Sequence, residues 1–219
     1  MKIVIQCAAR KVAAAGYMQT KNGEPVMFVA QPQSAPQHGN ALYSIPDDFS
    51  DREVSWRTLL QEYNQNPGNN PLNLYPAYKL YGNAIYRALA NRFGIEHTFI
   101  LSAGWGMIRA DFLTPQYDIT FSPSAELYKR RKKTNIYQDF YMLPDDVNTP
   151  IVFFGGKDYI RLFCSITKDF RSQRTVFYNS EFPPEAPGCA TQRFFTRTRT
   201  NWHYECAKAF LDGLITCQS

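Results

Sequence analysis

Apolar and polar residues segregate along this chain into short continuous runs and longer periodic ones. Lys2 to Cys7 (KIVIQC), His97 to Ala103 (HTFILSA), Thr149 to Phe154 (TPIVFF) and Arg174 to Tyr178 (RTVFY) are apolar stretches without strict alternation. Runs of that length, rich in β-branched and aromatic residues, predict strands buried on both faces. Between them the period lengthens. Pro76 to Phe93 puts Tyr78, Tyr81, Ile85, Leu89 and Phe93 on one helical face, with Gly94 as its stop. Tyr159, Leu162, Phe163, Ile166 and Phe170 repeat at helical spacing, and Trp202, Cys206, Phe210 and Leu214 mark a C-terminal helix behind Thr200 or Asn201 as cap. Ser122-Pro123 supplies a cap and first-turn proline for a further helix from about 123 to 140.

Strands alternating with helices predict an α/β fold. The expected form is a three-layer domain with a central four-stranded, mainly parallel sheet and helices on both faces. Residues 1–219 read as one such domain, with a long irregular insertion at about 12–73 that carries Pro25, Pro32, Pro36, Pro46, Pro67 and Pro71 among many Gln and Asn. An insertion of that length in a compact domain suits a lid or binding loop. Within it Ser50 and Glu53 form a capping box, and Phe49 with Val54 forms the matching staple. They predict a short helix from about Asp51 to Tyr63.

Composition narrows the class. The chain is 44% apolar and 15% aromatic, enough for a real core. It has no apolar stretch of about 18 residues, and its start turns polar too soon for a secretory signal, so a cytoplasmic protein without membrane contact is expected. Its five cysteines are scattered without a Cys-x-x-Cys pair, and His38, His97 and His203 show no ligand spacing, so neither a metal nor a disulfide framework is expected. Gly104-Trp105-Gly106 lacks the third glycine of a dinucleotide loop, and no Walker-type loop occurs. No cofactor is expected.

Charge suggests the partner. The net charge is +5, concentrated in Lys129-Arg130-Arg131-Lys132-Lys133 and in Arg193, Arg197 and Arg199 interleaved with threonines. Such clusters suit phosphate contacts, and DNA bound by a monomer is the leading expectation. Chemistry gathers at three strand ends: Cys7, Arg10 and Lys11; Ser102 to Asp118; and Gly155, Gly156, Lys157 and Asp158. In open α/β sheets sites form at that edge. Glycine-loop amides hold anions, a nearby carboxylate orients water or stabilises a cation, and Trp105 and Tyr117 offer flat faces.

The strand ending in Cys7 with Lys11 just beyond, and Leu101-Ser102-Ala103-Gly104-Trp105-Gly106-Met107-Ile108 followed by Pro115, Tyr117 and Asp118, resemble small bacterial and phage proteins related to the peroxide-stress DNA-binding protein group. The order of elements is also similar to the uracil-DNA-glycosylase-like architecture. The local likeness covers about thirty residues. The chain departs from the uracil enzymes in lacking Gly-Gln-Asp-Pro-Tyr-His, and Trp105 stands where a smaller or tyrosine-like residue is usual. The resemblance implies an N-glycosidic hydrolase, a DNA glycosylase that flips out a modified base in repair or antiviral defence. In that hypothesis Asp118, with Asp111 as substitute, stabilises the sugar cation. His203 protonates the leaving base. Cys7, Ser102, Gly104, Trp105, Gly106 and Tyr117 hold the base, and Arg10, Lys11, the 129–133 run, Lys157, Arg197 and Arg199 hold phosphates. Two other readings stand beside it, a non-catalytic DNA-binding protein and a nucleoside hydrolase or base-exchange transferase. Asp118→Asn separates the glycosylase from the DNA-binding protein, abolishing turnover but not binding, and removal of the 129–133 run leaves the nucleoside enzyme unaffected.

Overall fold

The buried runs become the strands of one large sheet. The computed structural model describes residues 1–36, 41–198 and 200–217. In chain order the strands are β1 (Lys2–Gln6), β2 (Met18–Gln19), β3 (Pro25–Val29), β4 (Leu42–Ser44), β5 (Tyr75–Pro76), β6 (Thr98–Ser102), β7 (Gly106–Arg109), β8 (Leu113–Thr114), β9 (Tyr117–Asp118), β10 (Phe140–Tyr141), β11 (Ile151–Phe154), β12 (Arg174–Tyr178) and β13 (Ala190–Arg193). The helices are α1 (Trp56–Gln65), α2 (Ala77–Leu80), α3 (Ile85–Phe93), α4 (Lys157–Ile166) and α5 (Trp202–Leu211).

Among the described residues the main sheet has seven strands in the order β10-β7-β6-β1-β11-β12-β13, which corrects the expected four. All neighbours are parallel except β6 and β7, which form a hairpin. The additional strands escaped the sequence reading because β10 and β13 are short or polar edge pieces and β7 is a short hairpin arm starting at Gly106, none with a continuous apolar run. β13 alternates Ala190-Thr191-Gln192-Arg193 and is mostly exposed. The central strands β1, β6 and β11 are buried along almost their whole length, as helices on both faces require. Phe153 and Phe154, adjacent on β11 and so on opposite faces, show this directly. Phe153 stacks on Phe163 of α4 at 4.6 Å, and Phe154 meets Phe210 of α5 at 5.4 Å. Helix α3 lies on the α5 side, Phe93 against Phe210 at 6.0 Å.

Several local expectations are corrected. Within the largely irregular 12–73 stretch, β2, β3 and β4, joined later by β9, make a second sheet, and α1 follows. Helix α1 begins at Trp56, capped by Ser55, whose Oγ accepts the Thr58 amide. Ser50 instead bonds the Val54 carbonyl, and Glu53 takes φ +62°, so the capping box does not form. The predicted 76–93 helix breaks between Leu80 and Ile85, where Gly82 and Asn83 turn the chain. No α-helix forms over 123–140. That segment has a 3-10 turn at Leu127–Lys129 and otherwise runs without helix, because its few apolar residues make no helical stripe and Arg131 is drawn inward.

Candidate functional site at the strand ends

Strand β1 stands where the sheet changes direction. Its neighbour on one side, β6, comes next among the long strands, and its neighbour on the other, β11, is reached only later. At such a switch point the loops leaving the two strands part in opposite directions and open a crevice beyond their C-terminal ends. Here a cleft of about 1260 Å³ occupies that place. Gln6 at the end of β1 bridges to the other wall, its Oε1 accepting the Gly156 amide at 2.7 Å. Helices α4 and α5 both begin on the cleft, at Gly156 and Asn201, and neither cap residue supplies a side chain to the first-turn amides. Those amides carry a partial positive charge toward the cavity.

The loop after β1 is pinned from both sides. Val12 N donates to the Leu80 carbonyl, Gln116 Nε2 donates to the Val12 carbonyl at 2.7 Å, and Lys11 makes a backbone bridge with Tyr81. Lys11 is thereby held over the Tyr117 ring, its Nζ 3.8 Å from the centroid. Nζ is buried and has no hydrogen-bond partner. Burial lowers its pKa to about 8, against the opposing pull of Cys7 and Asp118. Beneath it lies a network of hydroxyls and a thiol. Tyr117 Oη is bonded to Tyr81 Oη and Ser102 Oγ, both at 2.9 Å, Cys7 Sγ to Tyr159 Oη at 3.3 Å, and Tyr86 Oη donates to the Gln6 carbonyl. Burial pushes the phenols of Tyr81, Tyr86, Tyr117 and Tyr159 well above their usual range, so they stay protonated donors.

His203 closes the opposite wall. It is only 4% exposed, its Nε2 has no partner, and burial lowers its pKa to about 4, so the ring is neutral. Among the described residues, three cations line the cleft, Arg10, Lys11 and Lys157, against one carboxylate, Asp158, which Lys133 pairs at 2.9 Å.

Of the residues singled out in the sequence, the structure brings Cys7, Arg10, Lys11, Lys157 and His203 together on this cleft. Gly156 and Asp158 line it as well, and Ser102 and Tyr117 lie in the network beneath Lys11, whereas the remaining ones sit elsewhere. Trp105 has no exposed surface and is packed against Phe28 and Phe140, so neither ring face is open to a base. The Gly104 and Trp105 amides turn inward onto Ser102 Oγ, and their carbonyls accept from Arg57. Gly106 takes φ +84° against Phe140, a turn rather than a ligand wall. Asp118 pairs with Lys129 at 2.8 Å, and Asp111 pairs with Arg109 on an exposed hairpin. The cation run is dispersed. Arg131 is buried on Asp139, Arg130 bonds the Pro123 carbonyl, Lys133 holds Asp158, and Lys132 is exposed. Arg197 is on an exposed bend, and Arg199 and His38 lie outside the described residues. Sequence reasoning missed Gln6, Tyr81, Tyr86, Tyr159 and Tyr204. Helical spacing marked two of these tyrosines, Tyr81 and Tyr159, as packing, although a buried phenol also needs a polar partner.

Fold and cleft together define a mixed α/β protein with a ligand-sized crevice at the switch point of a mostly parallel sheet. Among known proteins the chain is similar to the UPF0246 protein SUB1767 of Streptococcus uberis, 24% identical over 211 residues, covering 91% of this chain and 77% of that one. No family model and no solved structure matches it. The relative's name assigns no activity. This comparison overturns the expected DNA glycosylase, together with the DNA-binding and nucleoside-hydrolase readings beside it. The enclosed Trp105 and the lysine-paired Asp118 agree with that correction. Among the described residues, no helix is long and apolar enough to cross a membrane.

Proposed function

We propose that the protein binds a small anionic molecule, bearing phosphate or carboxylate, in the cleft at the C-terminal ends of β1 and β11. The charge balance of that cleft carries the reading: three lining cations face one carboxylate that Lys133 already neutralises. Neither Arg10 nor Lys157 enters an ion pair among the described residues. Two helix N-termini add partial positive charge at the same place. The volume accommodates a ligand of sugar-phosphate or nucleotide size.

Thermal unfolding with inorganic phosphate, adenosine monophosphate and citrate, each against sodium chloride at equal ionic strength, tests this. At a concentration a hundred times Kd, binding adds about 2.7 kcal/mol, a rise of roughly 5–10 °C in Tm for a chain of this size. The rise should shrink in Arg10→Ala and Lys157→Ala. No increase over chloride with any of the three anions would overturn the reading.

A further inference from the structure

A lysine amine taken out of water is ordinarily held by a carboxylate. Lys11 is not: its Nζ makes no hydrogen bond, and the carboxylate that acts on it, Asp118, is bonded through Oδ2 to Lys129 at 2.8 Å. What faces the enclosed amine is the Tyr117 ring below, with Cys7 close by, while Lys11 as a residue lines the cleft. Lys11 lines a ligand-sized cleft, and its enclosed amine rests on the Tyr117 ring face alone, with no carbonyl or carboxylate bonded to it. Its backbone is nevertheless fixed by the Tyr81 bridge and by the bonds to Val12 on the next residue. That is the preparation a nucleophile needs, desolvation with fixed direction.

We propose that Lys11 is an imine-forming lysine, which attacks the aldehyde or ketone carbonyl of an anionic ligand whose phosphate or carboxylate rests on Arg10 and Lys157. The inference rests on the anion reading above and adds the reacting group to it. The lone pair of Nζ forms the C–N bond as the carbonyl π pair moves to oxygen. Nitrogen loses one proton and oxygen gains one, giving a carbinolamine. A second proton on that hydroxyl lets it leave as water while nitrogen loses its remaining proton and closes the C=N bond. One carbonyl and one amine become one imine and one water, and nothing is oxidised or reduced. The depressed basicity of Lys11 supports this: roughly a tenth of the amine is free at pH 7, against fewer than one in a thousand for an ordinary lysine. The Tyr159 phenol, which lines the cleft beside Cys7, is kept protonated by burial and suits donation to a carbonyl or hydroxyl oxygen.

The test incubates the full chain with glyoxylate, with glyceraldehyde 3-phosphate or with uncharged glyceraldehyde, each with cyanoborohydride, which reduces an imine to a stable secondary amine. Peptide mass spectrometry then gives the labelling rate at every lysine. Lys11 should label at least tenfold faster than the exposed Lys132 and Lys168, and faster with the charged aldehydes than with glyceraldehyde. Excess inorganic phosphate should slow labelling at Lys11 alone, a readout on the unaltered protein that does not depend on Lys11→Arg folding. Where that variant folds, the fast adduct should vanish while phosphate still raises Tm. Labelling of Lys11 no faster than of surface lysines would overturn the proposal. If phosphate still stabilises the protein, the imine alone falls, and if it does not, the anion reading falls with it.

Discussion

His203 is carried into the interior by the first turn of α5, against Trp202 and Tyr204, with its ring 4.1 Å from that of Tyr204. An ordinary histidine gains a proton near pH 6.5, whereas this one waits until about 4 because burial penalises its charged form. Between those values the unfolded chain binds the proton and the folded chain does not, so stability falls with falling pH. The contribution is complete above about 6.5 and lost as pH drops toward 4. It amounts to on the order of 3 kcal/mol at 1.36 kcal/mol per unit. His203→Gln should flatten the acid limb of a urea-denaturation series between pH 6.5 and 4, and an unchanged slope would show that other groups set it. The residue was marked in the sequence for its place near a helix start. Its lack of a partner at Nε2 was not readable there, since neighbours of a buried ring come from distant segments.

At the scale of elements, the segment from Lys129 to Lys133 shows how far a charge run can mislead. Five adjacent cations suggest one solvated, phosphate-seeking face. In the fold, neighbouring side chains of this segment go to different places. Arg131 points inward, gives both terminal nitrogens to Asp139 at 2.8 and 2.6 Å, bonds the Ala103 carbonyl and lies 3.8 Å from the Tyr137 ring. Its neighbour Lys132 is exposed. Arg131→Ala should therefore cost about 3–5 kcal/mol, since it strands Asp139 and a buried carbonyl, while Lys132→Ala should stay within about 0.5 kcal/mol. Urea unfolding of the two variants checks this, and equal effects would contradict the placement of Arg131. The strands β1, β6, β11 and β12 were legible because each is a continuous apolar run. The edge strands and the split between α2 and α3 were not, because pairing and turning there depend on partners rather than on local pattern.

For the whole molecule, the sheet order places the loops after β1 and β11 on opposite sides of one crevice and sends β13 to the far edge. That edge carries a second arrangement with a global consequence. Cys164 on α4 and Cys189 just before β13 stand with their sulfurs 3.9 Å apart, and their shared hydrogen bond lowers the Cys189 thiol and raises that of Cys164. Exchange with oxidised glutathione should join them, the Cys189 thiolate attacking the reagent and the Cys164 thiol then displacing the glutathione. Cross-linking a loop of about 25 residues restricts the unfolded chain and adds about 3 kcal/mol. Mass spectrometry should find the two sulfurs joined and the unfolding midpoint raised, and a stable mixed disulfide without closure would show the pair to be misaligned.

The chain's own pattern determined the buried strands, the helices α4 and α5 and the gathering of Cys7, Arg10, Lys11 and Lys157 near strand ends, because apolar runs and loop positions are local properties. Only tertiary structure decided which of these face a common space. It enclosed Trp105, paired Asp118 with Lys129, split the cation run and left the Lys11 amine on the Tyr117 ring without a hydrogen-bond partner. Those outcomes follow from packing between segments far apart in sequence, where burial and partner choice are settled by the competition of the whole fold for each polar group.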